Sequence, residues 1–188
     1  MRVISGTARG TGLFSPQGTE TRPTSDFVKE SLFNIIQADL GGASFLDLFA
    51  GSGAIGIEAL SRGASSATFV DISQKSISLI KRNLAKTRLE QRASIIKSDT
   101  GAAIKKIAGG GQKFNIIFLD PPYFEGLVEK ILTLIVAENI LAKDGYIILE
   151  MSKTEAVPNL DGLEISRERE YSGARLVFYA LPDYAENI

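Results

Sequence analysis

Cysteine, histidine and tryptophan are absent from these 188 residues, and methionine occurs only twice. No disulfide can form, no thiolate can ligate zinc or attack carbon, and the commonest metal ligand and general base is missing. Any chemistry must run on carboxylates, lysine, tyrosine, hydroxyls and backbone groups. Long apolar runs are also lacking: none approaches the roughly 20 residues of a membrane helix, and the start MRVISGTARG has no apolar signal-peptide core. A cytoplasmic protein is expected. A strong net charge is missing too, since 21 Lys and Arg stand against 22 Asp and Glu. The balance hides a segregation. Residues 72–113 carry ten basic side chains against Glu90 and Asp99, whereas residues 114–188 carry six against thirteen acids. A field divided this way can steer a polyanion to one side, although solvated helix faces produce the same composition.

What is present is organised around Ser44 to Ala64, SFLDLFAGSGAIGIEALSRGA. Phe45, Leu46, Leu48 and Phe49 form the near-continuous apolar run of a strand buried on both faces of a parallel sheet, interrupted by Asp47. Gly51, Gly53 and Gly56 follow at G-x-G-x-x-G spacing, which permits a tight turn, close ligand approach and packing of the next helix on the sheet. The same glycines also suit an ordinary strand-to-helix turn. Asp71 adds weight: it ends the run ATFVD twenty positions after Gly51, where a second parallel strand presents a carboxylate to ribose hydroxyls.

Taken in order, the chain begins with Arg2–Ser5 and Gly12–Ser15 around TARGTG, the pattern of a short hairpin or arm. Arg2, Arg9 and Arg22 against Glu20 make residues 1–24 locally basic and suited to phosphates. A helix is expected from Phe27 to Leu40. Strands and helices then alternate: a helix over 54–61, a helix over 74–87, a strand over 92–97, a helix over 101–108, a flexible break at 109–111, a buried strand over 114–119, a long helix over 126–141 and a strand over 145–150. That rhythm predicts right-handed crossovers and a parallel sheet. The tail departs from it, with strand-like runs at 163–171 and 175–181 joined by Ser172-Gly173, so one strand of an otherwise parallel sheet runs backwards.

The most specific feature is Asp120-Pro121-Pro122-Tyr123 at the end of the buried strand FNIIFL. Two prolines fix φ and remove two backbone donors, leaving nearby carbonyls to accept. An exocyclic amine could donate to the Asp120 carboxylate and the Pro121 carbonyl while its ring lies on Tyr123. The glycine bend and this corner are expected to serve one crevice.

Paired with DLFAGSGAIG, the DPPY corner resembles the motif of amino-group methyltransferases that use S-adenosyl-L-methionine. RVISGTARG, TRPTSDFVKESLFNII, DLFAGSGAIGIEALSRGA, FVDIS and FLDPPY together resemble the RsmD family, which methylates the 2-amino group of a guanine in small-subunit ribosomal RNA. The resemblance implies a Rossmann-like class I methyltransferase fold, a seven-stranded mostly parallel sheet with a C-terminal antiparallel hairpin. It implies an arm over 1–24 and a methyltransferase domain over 25–188. It places Asp47, Ala50, Gly51 and Gly53 at the methionine end of the cofactor, Asp71 on the ribose, Ile72 on the adenine and Asp99 at its amino group. Asp120, Pro121, Pro122 and Tyr123 would receive the guanine, and Arg22 and Thr24 would sit near it, with Arg2 and Arg9 on the RNA. The implied partner is ribosomal RNA, within a small subunit or its assembly intermediate, with no metal or membrane.

These residues suit the chemistry. Methyl transfer is an in-line displacement, and positioning alone is worth roughly 7 to 11 kcal/mol. Accepting both hydrogens of a delocalised amine favours a pyramidal nitrogen and stabilises the charge that develops on attack. The missing cysteine argues against the covalent route to cytosine C5. Rival readings are an amino methyltransferase acting on DNA adenine or a protein amide, a nicotinamide-dependent oxidoreductase, and a non-catalytic RNA-binding module. The oxidoreductase leaves DPPY and the terminal hairpin without a role.

Overall fold

The computed structural model describes residues 1–15, 26–122 and 126–185. The chain divides into two compact units, residues 1–98 and 99–188.

The first unit holds α1 (Asp26–Ile35), β1 (Ser44–Asp47), α2 (Ala54–Ser61), β2 (Ser66–Asp71), α3 (Gln74–Thr87) and β3 (Ala93–Lys97). Its strands are parallel in the order β3-β2-β1, with Ser44 to Asp47 opposite Ser66 to Phe69 and Ala67 to Asp71 opposite Ala93 to Lys97. Every residue of α2 is buried, as its apolar sequence AIGIEALS requires. Helix α3 is two-faced, burying Ile77, Ile80, Asn83, Leu84 and Thr87 and turning its lysines outward. The N-terminal hairpin is reduced to a single antiparallel bridge between Arg2 and Gly12, closed by Val3 N–H donating to Thr11 and Leu13 N–H donating to Met1. Val3, Ala8 and Leu13 anchor it by burial.

The second unit holds α4 (Thr100–Gly109), β4 (Phe114–Leu119), α5 (Leu127–Ala137), β5 (Leu141–Met151), β6 (Glu164–Glu170) and β7 (Arg175–Ala180). Strand β4 lies parallel to β5, and β7 runs antiparallel to both β5 and β6. Seven strands, mostly parallel with β7 reversed, are the α/β class that the alternation predicts.

Five boundaries differ from expectation. The strand at Phe45 stops at Asp47 rather than Phe49, because the glycine bend begins there. The first helix ends at Ile35 and tightens into a 3₁₀ turn over Gln37–Asp39. Glycines 109–111 are a helix terminus and not a break: Gly110 and Gly111 donate to Ile107 and Ala108, with Gly111 at φ 68°. The long helix ends at Ala137, where Asn139 takes φ 52° and the amides of Asn139 and Ile140 return to Val136 and Ile135, a Schellman closure. The residues LAKDG that follow are strand. A register shift lies between Phe114 and Ile116, and a Cβ on Gly145 would stand 2.8 Å from the Asn115 oxygen. Glycine there lets the two backbones approach, and the strand expected from Gly145 begins earlier, at Leu141.

Candidate active site

The bend after β1 is shaped by backbone conformations that favour glycine. Gly51 has φ 53° and Gly53 φ 79°, and Gly53 N–H donates to the Ala50 oxygen at 2.6 Å. The space around them differs. Among the described residues nothing lies within 4 Å of a Cβ built on Gly51, whereas one on Gly56 would sit 2.4 Å from the Phe69 ring. Gly51 therefore keeps the crest of the bend open, and Gly56 lets α2 lie flat on β2.

Asp71, at the end of β2, ties this bend to the neighbouring strand. Its Oδ2 accepts Gly51 N–H at 2.9 Å and its Oδ1 accepts Ser73 N–H at 2.7 Å, while Ala50 N–H donates to the Val70 oxygen. Each carboxylate oxygen has two lone pairs, so a fixed Asp71 retains acceptor capacity for a diol. Ile72 beside it is 70% exposed, a large apolar side chain available to a flat ring. Asp47 is buried beneath the bend and its Oδ2 accepts Gly56 N–H at 3.2 Å. Ala50 is buried within the bend. In the first unit, Asp47, Ala50, Gly51, Gly53, Asp71 and Ile72 are thus one cluster, with the open crest, the oriented carboxylate and the exposed apolar face that an adenosine-bearing cofactor needs. Asp99, in the second unit, caps α4 by accepting Ala102 N–H at 3.0 Å on Oδ1.

The acidic corner follows β4. Asp120 is half-buried, Pro121 buried and Pro122 exposed, and burial pushes the Asp120 carboxyl from 3.8 up to about 6. Such a group is ionised above neutrality and near the optimum for a base. Beside the corner lies a cavity of about 330 Å³ lined by Pro121, Pro122, Val128, Glu150, Met151 and Pro158 among others. Glu150 comes from the end of β5, and Glu129 and Glu155 also line the cavity. Tyr123, Arg22 and Thr24 lie outside the described residues.

Arg2 and Arg9 are exposed on the hairpin, which is held by two residues that sequence patterns did not single out. Glu58, fully buried in α2, accepts Ile4 N–H and Ser5 N–H at 2.8 and 2.9 Å, and pairs with Arg62 at 2.8 Å and with buried Lys29 at 3.6 Å. Asn83 of α3 accepts Phe14 N–H on Oδ1 at 2.7 Å, and its Nδ2 donates to the oxygens of Phe14 and Ser52 at 2.9 and 2.8 Å. Charged and amide groups inside the apolar faces of α2 and α3 were the signal available for both. Among the described residues no helix is long and apolar enough to cross a membrane, and no three carboxylates cluster as a metal site.

A glycine bend answered by a strand-end acid, within this strand arrangement, is the class I S-adenosylmethionine-dependent methyltransferase fold. Solved enzymes of that kind share it at identities too low to show more than the fold. The solved structure of yhhF from Escherichia coli matches more closely, at a TM-score of 0.84 and 32% identity over 96% of this chain and 97% of that one. The chain belongs to the family described as Conserved hypothetical protein 95, whose model matches residues 1–180, the RsmD family that the motifs resemble. YlbH of Bacillus subtilis strain 168 is 42% identical over 180 residues, 95% of this chain and 98% of YlbH. Ribosomal RNA small subunit methyltransferase D of Escherichia coli K12 is 36% identical over 160 residues, covering 85% and 79%.

Proposed function

We propose that this protein methylates the exocyclic 2-amino group of a guanine in small-subunit ribosomal RNA with S-adenosyl-L-methionine as donor. The observation that carries the reading is the Asp-Pro-Pro corner at the end of a buried strand, with a carboxyl pushed up to about 6 beside a cavity of about 330 Å³. When bound, the cofactor supplies an electrophilic methyl. Gly51 and Gly53 let backbone approach its methionine end, Asp47 holds Gly56 beneath the bend, Asp71 accepts the ribose hydroxyls, Ile72 covers the adenine and Asp99 accepts its amino hydrogens. Asp120 and the Pro121 carbonyl accept the two hydrogens of the target amine, which concentrates its lone pair. After alkylation the surplus proton passes to Asp120, whose raised affinity for it suits the role. Tyr123 stacks on the flipped base, recovering about 1 to 3 kcal/mol of unstacking. The Watson–Crick edge of guanine presents N–H donors, and Glu129, Glu150 and Glu155 give the adjoining cavity the acceptors to match.

The arm bearing Arg2, Arg9, Arg22 and Thr24 contacts the RNA, and the substrate is the small subunit or an assembly intermediate. Incubation of the protein with tritiated cofactor and undermethylated small subunits, then digestion to nucleosides, is expected to give labelled N2-methylguanosine. Label in adenosine, or none in any nucleoside, would contradict the reading. Naked RNA in a parallel incubation identifies the preferred substrate form.

A further inference from the structure

Helix α3 and Phe14 carry the inference, which concerns the partner of the reaction proposed above and rests on that reading. Lys75, Arg82 and Lys86 recur at i, i+7 and i+11, so they fall within one narrow stripe of the helix about 16 Å long. Lys81 and Arg88 flank it, and all five side chains are exposed. No ion pair joins any of them to a carboxylate among the described residues, although the same unit pairs Lys29 and Arg62 with Glu58. The stripe is also joined to an aromatic ring. Phe14, 38% exposed, lies with the Arg82 guanidinium carbon 4.1 Å and the Lys86 ammonium 4.6 Å from its centroid. Asn83 locks the Phe14 backbone on both sides, so the ring is fixed against the helix at the point where the N-terminal hairpin ends.

Unpaired cations in a row cost self-repulsion, and no carboxylate among the described residues of the first unit pairs with this row. A phosphate backbone does, by releasing its condensed counterions, and a partly exposed ring braced by two cations offers a stacking surface for an unpaired base. Along the chain the acids are concentrated elsewhere, in residues 114–188.

We propose that the outer face of α3, with Phe14, is a docking track for single-stranded ribosomal RNA flanking the target guanine, continuous with the arginines of the N-terminal hairpin. The track sets affinity and register and takes no part in the transfer.

The test is equilibrium binding of in vitro transcribed small-subunit rRNA to the full chain over a range of salt concentrations. The variant Lys75→Gln/Arg82→Gln/Lys86→Gln is expected to bind at least about tenfold more weakly. Its slope of log affinity against log salt should be shallower by about 2, since each lost single-strand phosphate contact accounts for about 0.7. Its affinity for S-adenosylhomocysteine should match the parent's, which excludes misfolding. Phe14→Leu, which keeps the bulk and removes the ring face, should weaken RNA binding several-fold without changing the slope. A comparison variant, Lys130→Gln/Lys143→Gln/Lys153→Gln, removes three exposed charges from the second unit and should change neither quantity. Equal losses in both triple variants, an unchanged slope in the first, or binding of an acidic ribosomal protein lost in place of RNA would each overturn the track. The nucleoside digest with the parent protein tests the enzymatic reading separately: methylguanosine formed while the slope is unchanged leaves the reaction standing and removes only the track.

Discussion

Burial raises the affinity of Asp120 for its proton, and this acts on activity and stability with opposite signs. Only the carboxylate can accept both an amine hydrogen and, later, the surplus proton. The rate kcat/KM should therefore fall as pH drops through about 6, and this limb should vanish in Asp120→Asn, whose turnover falls at least about 100-fold. Pre-steady-state methylation over pH 5 to 9 measures both. For stability the raised value means the native state binds the proton more tightly than the unfolded chain. The favourable contribution is complete below 3.8 and lost as pH rises through about 6. Asp120→Asn should accordingly melt higher than the parent at pH 8, with the difference disappearing at pH 4. Glu58 has four partners and no exposure. Glu58→Ala strands Lys29 in the core and should cost about 3 to 5 kcal/mol by urea unfolding, whatever the substrate.

At the scale of elements, the glycine fingerprint divides into parts with separable consequences. A methyl group on Gly56 meets the Phe69 ring at 2.4 Å, so Gly56→Ala should destabilise the first unit by about 1 to 3 kcal/mol despite better helix propensity. Calorimetric unfolding checks this. Gly51, with open space at its Cβ, is constrained by its positive φ and not by packing. Helix α3 ends with Arg88 at φ 59°, while Arg88 N–H donates to Ala85 and Leu89 N–H to Leu84. Arginine in that conformation costs about 1 kcal/mol, so Arg88→Gly should raise the melting temperature by a few degrees. Much of this was legible in the residues. The runs SATFVD and FNIIFL read as strands because both faces are covered, and the glycine spacing located the bend. The close of α5 was not legible, because Asn139 supplies a left-handed cap that looks like one more helical position. Strand β5 was read too short because a bulge, not an alternation, continues it through Lys143 and Asp144. Within the candidate site, the positions of Asp47 and Asp71 followed from strand ends. Glu58 and Asn83 did not, since their bonds to the backbone of Ile4, Ser5 and Phe14 span 53 to 69 residues and no spacing encodes such pairs.

At the scale of the whole molecule, the question is whether the N-terminal segment is an appendage for RNA or part of the fold. Its first fifteen residues include three buried apolar side chains, and its backbone satisfies groups that cannot go unpaired. Ile4 and Ser5 donate to Glu58, the Arg2 oxygen accepts from buried Lys29 at 2.6 Å, and Ser61 Oγ both accepts from Ala8 N–H and donates to the Ser5 oxygen. Through Asn83 the segment also braces Ser52 in the glycine bend. Removing it exposes a charged pair designed by the packing to be dry, and it leaves the bend without one of its supports. Deletion of residues 1–14 should therefore lower the melting temperature by ten degrees or about that much, and weaken S-adenosylhomocysteine binding, even with no RNA present. Arg2→Gln/Arg9→Gln keeps every one of those backbone bonds and removes two exposed charges. It should leave melting and cofactor affinity at the parent's values while weakening RNA binding and flattening its salt dependence. Differential scanning fluorimetry and calorimetric titration of the two variants side by side separate the structural work of this segment's backbone from the electrostatic work of its side chains. A truncated protein with parental melting and cofactor affinity would show that α1, α2 and the bend stand without it.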